Sequence, residues 1–400
     1  MLKKSTYPVS WNMIKLGDVA DFKNGLNYRA GENKFSYHIL SVASFQNNSV
    51  IRNLSNLPNV DLGQPLEDGF RLIDRDLVFV RSNGNPDLVG RCVMVFPGDV
   101  PTTFSGFTIR ARIVKNQIVT SEWVHICLRA GLLKKSLKRE GAGTNITNLN
   151  QQILSSVLIP IPPLPEQKAI ADILSTWDEV IEKTERLIGL KQNCYKKLFR
   201  KLILNSDSIL LKKRIYKLEE LVKKQKGKMV IQNNEFKGRP YIGSISFEGE
   251  FITYTESTDG VECNQDDVLM LWDGENAGKV ATGLKGVVSS TVCALKLNES
   301  INNNYLCLHL KMNESKIRAI REGSGIPHIP GDFLSWYRLL LPSMDMQNKI
   351  GQIARKAEKD MKLLKKVLSK LKEQKRGLMQ KLLTGKWRVK IKEENNNEQL

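Results

Sequence analysis

Apolar residues along this chain follow two rhythms. Between Ile170 and Leu202 they recur at alternating steps of four and three: Ile170, Leu174, Trp177, Ile181, Ile188, Leu198 and Leu202, with Thr184, Lys191 and Tyr195 at the intervening places. The same frame returns at Ile350, Ala354, Ala357, Met361, Leu364, Leu368, Leu371, Leu378 and Leu382, broken by Lys375. Steps of four and three sustained over several turns are a coiled-coil seam. Each segment predicts a helix of about 36 residues, about 54 Å long. Two matching seams in one chain predict that the helices pair with each other, antiparallel. Thr184, Lys191 and Lys375 then either fix the register or lie in solvent.

The second rhythm is short and strand-like. Leu77-Val78-Phe79-Val80, the run from Arg91 to Phe96 and the run from Phe107 to Val114 are strand candidates, bounded by turn clusters such as Ser82-Asn83-Gly84-Asn85-Pro86. Residues 121–138 predict a helix with Trp123, Ile126, Cys127, Leu132 and Leu133 on its apolar face. The prolines between Ile159 and Pro165 predict a stiff extended connector.

This plan is written twice. Arg139-Glu140-Gly141-Ala142-Gly143 returns as Arg321-Glu322-Gly323-Ser324-Gly325, and Val157-Leu158-Ile159-Pro160 as Leu339-Leu340-Leu341-Pro342. Lys15-Leu16-Gly17-Asp18-Val19 is answered by Lys217-Leu218-Glu219-Glu220-Leu221, and Asp76 to Val80 by Asp267 to Leu271. Residues 287–297 parallel 104–114, and a helix over 303–321 parallels the one near 121–139. A repeat this long means two similar modules, each a domain followed by a helix. The expected fold is α+β: two similar strand-rich domains separated by a long antiparallel two-helix coiled coil with pseudo-two-fold symmetry. The boundaries read 1–160 and 206–342 for the domains, 161–205 and 343–388 for the helical spacers, and 389–400 for a polar tail.

Charge narrows the function. The chain carries a formal net charge of +19, so an anionic polymer or surface is the expected partner. Residues 345–400 hold 16 Lys/Arg against 7 Asp/Glu, and residues 196–228 hold 12 against 3. Such runs are also what a solvated helix face looks like. The six cysteines form no C-x-x-C pair and read as reduced core thiols. With no signal-like start and no apolar run of about 18 residues, a soluble cytoplasmic protein is expected.

Catalytic patterns are missing. Gly274-Glu275-Asn276-Ala277-Gly278-Lys279-Val280 is one residue short of a phosphate loop and lacks its Ser/Thr. Neither a dinucleotide fingerprint nor an amino-methyltransferase motif occurs, and the four histidines show no ligand spacing. No metal is expected.

Loops at equivalent strand ends offer a sharper signal. Arg81, Asn83 and Asn85 in the first module, and Asp273, Asn276 and Lys279 in the second, are side chains suited to reading base edges. Neighbouring glycines let a backbone approach a phosphate. Tyr28, Arg29, Arg239 and His328 are candidate flanking contacts. An ordinary polar hairpin explains either loop alone; matched placement in both copies favours recognition.

These residues resemble a known family, the DNA-specificity subunits of type I restriction-modification enzymes. The resemblance spans nearly the whole chain. It is carried most strongly by Pro162-Pro163-Leu164-Pro165-Glu166-Gln167-Lys168-Ala169-Ile170 and by the closing run from Gly377 to Val389. The second connector, Leu341-Pro342-Ser343-Met344-Asp345-Met346-Gln347, departs by lacking the Pro-Pro and Glu-Gln pairs. The resemblance implies a non-catalytic subunit in which each domain reads half of a split double-stranded DNA target. The helices would serve as a spacer ruler and as the dock for two methyltransferase subunits. Those subunits would carry S-adenosylmethionine, and restriction subunits would add ATP- and Mg-dependent translocation and cleavage. Three other readings stay open at this point: an adaptor for a methylation-only or phage-defence system, a scaffold or RNA-binding protein, and a nuclease.

Overall fold

The computed structural model describes residues 7–28, 34–45, 49–132, 148–204, 214–248 and 253–389. The chain divides into two compact units, residues 1–182 with 369–400, and residues 183–368.

In the first unit the strands are β1 Asn12–Lys15, β2 Ala20–Asn24, β3 Phe35–Leu40, β4 Val50–Ile51, β5 Asn59–Leu62, β6 Asp76–Val80, β7 Cys92–Val95, β8 Thr102–Phe104, β9 Thr108–Ile113 and β10 Leu158–Ile161. They form sheets ordered β2-β9-β6-β7-β4, β5-β3-β8 and β1-β10. Every residue of β6 is buried, as befits a central strand with both faces covered. Its alternation assigns each face a core. Leu77 and Phe79 join Ile109, Trp123 and the helix residues Ile170 and Leu382, whereas Val78 and Val80 join Leu40, Phe45 and Phe104.

The second unit repeats the arrangement. Its strands are β11 Arg214–Lys217, β12 Val222–Lys226, β13 Arg239–Ile242, β14 Tyr254–Thr255, β15 Glu262–Cys263, β16 Val268–Leu271, β17 Val280–Thr282, β18 Gly286–Val288, β19 Val292–Leu297 and β20 Arg338–Leu341. The sheets run β12-β19-β16-β17, β14-β13-β18-β15 and β11-β20. Val268 and Met270 face one core, Leu269 and Leu271 the other. Even the buried carboxylate is duplicated. Asp76 accepts both Nε and a terminal nitrogen of Arg112, each at 2.8 Å, and Asp267 pairs with Lys296.

Several boundaries differ from the sequence-based expectation, each for a local reason. The proline connector is partly a strand: β10 pairs antiparallel with β1, with Pro160 opposite Met13. Pro160 O accepts from Trp123 Nε1, away from β1, so the proline nitrogen lies on the unpaired edge and its missing N–H costs no ladder bond. Pro165 lies in the first turn of the following helix, where its N–H has no intrahelical partner anyway. The two long helices therefore run Leu164–Leu204 and Met344–Leu383, 41 and 40 residues, longer than expected. The helix from Ser121 ends at Arg129, with Gly131 just beyond at φ +89°. Residues 133–138 of that expected helix lie outside the described residues. The expected helix over 303–321 is two, Asn303–Met312 and Glu314–Ala319, broken at Asn313. Cys194 is exposed on its helix and is not a core thiol.

Within each unit the long helices run antiparallel. In the first, Glu166 meets Arg388 and Asp178 meets Lys375; in the second, Lys191 and Tyr195 meet Asp360. The seam lysines are thus ion-paired across the helix interface. Ile170, Leu174, Ile188, Ile350 and Leu382 are buried, and Trp177, Ile181, Leu202, Met361, Leu364, Leu368, Leu371 and Leu378 are partly buried. Leu198 is the exception. It is 38% exposed, and Phe199 is buried in its place at 7%. A straight helix lags a strict seven-residue repeat by about 20° per heptad, so after four heptads the next residue has turned inward.

Each domain is also tied to a long helix by one cation. Arg129 reaches Asp178 at 3.3 Å, and Lys311 reaches Glu358 at 2.7 Å. The second connector, despite its departures, keeps the essential contact. Gln167 donates to the Ile118 and Pro162 carbonyls and accepts from Thr120 N–H; Gln347 donates to Ser300 and Pro342 and accepts from Asn302 N–H. One glutamine at the same helical position pins both helix starts. The preceding carboxylate is replaced by Met346, and Pro163 by Ser343.

Candidate nucleic-acid interface

The loop after β6 and the loop after β16 occupy the same place in their units, and backbone hydrogen bonds give the register. Arg81 N–H and Ser82 N–H both point at the Phe107 carbonyl, at 2.8 and 3.4 Å; Trp272 and Asp273 do the same to Thr291, at 2.7 and 3.3 Å. Gly90 N–H closes on Val80 O, and Gly278 N–H on Leu271 O. Ser82 bridges Asn148 where Asp273 bridges His328. Arg81 therefore corresponds to Trp272, not to Asp273, and Ser82 corresponds to Asp273. Trp272 is 4% exposed, so the two units carry different chemistry on one frame.

In the first unit the structure gathers Arg81, Asn83 and Asn85. Arg81 is half-buried, and its guanidinium donates to Gly106 O at 3.5 Å. Asn83 and Asn85 each spend their side-chain oxygen on the backbone, accepting from Asn85 N–H at 2.9 Å and Asp87 N–H at 3.0 Å. Their amide NH2 groups remain the donor ends available to a ligand. Ser41, Ala43, Asn83, Gly84, Ser105 and Phe107 line a cleft of about 500 Å³. Phe107 is 64% exposed. Tyr28, also exposed, follows a segment held here by Leu26 N–H to Phe104 O and Gly106 N–H to Leu26 O. Arg29 lies outside the described residues, as does the Arg139–Gly143 motif.

In the second unit Asp273, Asn276 and His328 come together. Asp273 is 24% exposed and pairs with Lys226 at 2.8 Å. The loop is braced from below, because Arg318 and Arg321 both donate to the Glu275 carbonyl, at 3.2 and 2.7 Å. Gly274 N–H binds Pro327 O, and Glu322 and His328 exchange both backbone bonds. The repeated Arg-Glu-Gly motif thus supports the candidate loop in this unit. Two candidates fall elsewhere. Lys279 immediately precedes the return strand β17 and lines a groove of about 660 Å³ with Tyr195, Cys307 and Glu358. Arg239 is tied to Glu262 and to the Ser257 carbonyl.

Sequence reasoning missed Phe107, Lys226 and Arg321 as parts of these clusters. Lys226 lay in a recognised charge run and Arg321 in the repeat itself. Phe107 gave no signal beyond its place at the edge of a strand candidate. Among the described residues no cluster of three or more His, Cys, Asp or Glu is arranged to hold a metal, and no helix is long and apolar enough to cross a membrane.

Comparison with known proteins agrees with this layout. The family model described as the type I restriction modification DNA specificity domain matches residues 8–192 and again 212–373. The putative type I restriction enzyme MjaX specificity subunit of Methanocaldococcus jannaschii is 24% identical over 412 aligned positions, covering 96% of this chain and 95% of that one. The MjaVIII specificity subunit of the same organism is 30% identical over 178 residues, which is 42% of this chain and 41% of the relative. The crystal structure of a type I restriction-modification system S subunit from M. genitalium shares the fold. Its TM-score is 0.64 at 17% identity, and the alignment covers 96% of this chain and 97% of that one. With two matches to the family model that together span most of its length, the chain belongs to the type I restriction-modification DNA-specificity family.

Proposed function

We propose that this chain is the sequence-reading subunit of a type I restriction-modification complex and recognises an asymmetric, two-part DNA target without performing catalysis itself. The observation that carries the reading is one backbone frame bearing unlike loops: Arg81-Ser82-Asn83-Gly84-Asn85 in one unit and Trp272-Asp273-Gly274-Glu275-Asn276 in the other. Equal frames give both domains the same approach to a duplex, and unequal side chains give different half-sites. On this reading residues 1–160 and 206–342 are the reading domains, 161–205 and 343–388 the spacer helices, and 389–400 a tail. Two methyltransferase subunits and restriction subunits are the partners. S-adenosylmethionine, ATP and Mg belong to those partners, and the complex works in the cytoplasm.

Selection from random duplex DNA tests it. The expected product is a bipartite motif with a fixed gap and unlike halves; no enrichment, or a palindrome, rejects it. Arg81→Ala separates base reading from phosphate anchoring. A lost base contact costs about 1–3 kcal/mol and relaxes one half-site only, whereas a lost phosphate contact weakens every sequence alike. The spacer idea has its own measurement. Deleting seven residues from each long helix removes about 10 Å of rise, about three base pairs. The gap in the selected motif should shift accordingly, and an unchanged gap with retained binding rejects the ruler.

A further inference from the structure

Residues 228–238 of the second unit form a tip that the loop reading does not use. Met229 is 83% exposed, Ile231 88% and Phe236 71%, among the most exposed large apolar side chains of the described residues. Such a trio in solvent is unusual unless something covers it. The tip is held, not loose. Asn233 and Tyr254 exchange both backbone bonds at 2.8 Å, Thr255 Oγ1 donates to Ile231 O at 2.7 Å, and Asn233 Oδ1 accepts from Glu235 N–H at 3.1 Å. Phe236 packs on Tyr254 with centroids 5.2 Å apart and adopts φ +59°, an uncommon backbone for an aromatic residue.

Its root leads to the candidate interface. Gly227 N–H binds Val292 O, and a Cβ there would meet Ser289 O at 2.1 Å, so the chain leaves β12 at a fixed place. One residue earlier, Lys226 holds Asp273 of the braced loop. Charge identifies the occupant. Residues 223–237 contain Lys223, Lys224, Lys226, Lys228 and Lys237 against the single acid Glu235. Lys237 pairs with Glu235 within the tip, and the stretch as a whole stays strongly basic. An apolar tip on a basic stretch suits a polyanion with apolar surface inside it, and duplex DNA has that form: phosphates outside, base edges and thymine methyls within the grooves. Gly25 N–H makes the matching bond to Thr108 O in the first unit, so Asn27 and Tyr28 stand where Met229 and Val230 stand in the second.

We propose that Met229 and Ile231 enter a groove of the duplex beside the second half-site and make apolar contact with its bases, while the exposed Lys228 faces a phosphate. This rests on the DNA-reading function above and deepens it by adding an apolar contact in one half-site only.

The test uses the full-length protein and a labelled duplex carrying its selected motif, titrated at several salt concentrations. Met229→Ser with Ile231→Ser should weaken binding about tenfold or more while leaving the salt slope unchanged, because no counterion release is lost. Met229→Leu with Ile231→Leu should retain affinity. Lys228→Ala should instead lower the slope by about one. Replacing thymine by uracil, or adenine by 2-aminopurine, through the second half-site distinguishes contact with a methyl from insertion between bases. Serine variants that bind within about twofold of wild type overturn the proposal. So does retained DNA affinity with loss of a methyltransferase subunit, which would assign the tip to a protein partner. If the wild-type protein selects no sequence, the parent reading fails and this one with it; failure of the serine arm alone leaves the parent reading intact.

Discussion

Between pH 7 and pH 5 each unit should lose about 2 kcal/mol of stability through one buried histidine. His125 in the first unit is 3% exposed, and burial, with Arg129 nearby, pushes its pKa from 6.5 down to about 3. His309 in the second is 8% exposed, and burial pushes it down to about 4. In the unfolded chain both imidazoles take up a proton near their ordinary value. In the folded chain that proton is refused until far lower pH. Between 6.5 and those lower limits the unfolded state binds more protons, so stability is full above about 6.5 and falls as the pH falls. The Nε2 of His125 is buried without a hydrogen-bond partner, and a backbone hydrogen bond with Cys92 and the Asp178 carboxylate offset the burial only in part. His309 meets the Tyr337 hydroxyl at 3.3 Å, with the Tyr337 ring edge-on and the Tyr305 ring tilted beside it.

For domains of this size the loss corresponds to about 4–8 °C in Tm. Carboxylates of ordinary pKa titrate below this window, so the effect belongs to the histidines. Scanning calorimetry at half-unit steps from pH 7 to 5 would measure it. His309→Phe should flatten the dependence of the second unit, and His125→Gln that of the first. A double variant with the wild-type slope would sink the assignment.

The same regions show what the sequence could and could not disclose. The seam was legible because spacing alone defines it, and it failed only at Leu198, where accumulated helical twist brings Phe199 inward instead. Strands such as β6 and β16 were legible as apolar runs, and their alternation between two cores follows from pleating. The proline connector misled because proline is disfavoured in interior strands, yet here it lies in a two-stranded sheet. Candidate loop residues were legible as types but not as geometries. Whether Asn83 offers its amide or its oxygen depends on which end its own backbone consumes. Lys279 and Arg239 moved out of the candidate group for a similar reason: strand register and a local acid, neither visible in composition, decide where they point. The tie between Arg388 and Glu166 was out of reach because its partners lie 222 residues apart.

That tie carries the other large expectation: Arg388→Ala should destabilise the first unit by about 3 kcal/mol, about 6–12 °C in Tm. Glu166 is fully buried in the first turn of its helix, and Arg388 grips both its oxygens, Nε at 2.6 Å and a terminal nitrogen at 2.9 Å. Trp11 Nε1 adds a third donor at 3.2 Å. The Arg388 segment is set by Gly385, which turns at φ +67° against Pro8, where a Cβ would come within 2.3 Å of the proline ring. Removing the guanidinium leaves a buried carboxylate with one side-chain donor and the helix N-terminus. Half of Arg388 is in solvent and water can partly replace it, so the low end of the range for broken buried pairs applies. Arg388→Lys should fall between, keeping the charge but losing the two-pronged geometry. The second copy of the repeat supplies the decisive control. Its equivalent of Glu166 is Met346, partly buried against the apolar core of its own unit. Glu166→Met combined with Arg388→Ala should therefore recover most of the loss, since an apolar side chain needs no partner there. Recovery should remain incomplete until Trp11→Phe removes the indole N–H left without an acceptor. If the double variant is as unstable as the sum of its parts, the carboxylate is not the source of the cost, and the segment after the second helix holds the unit by packing alone.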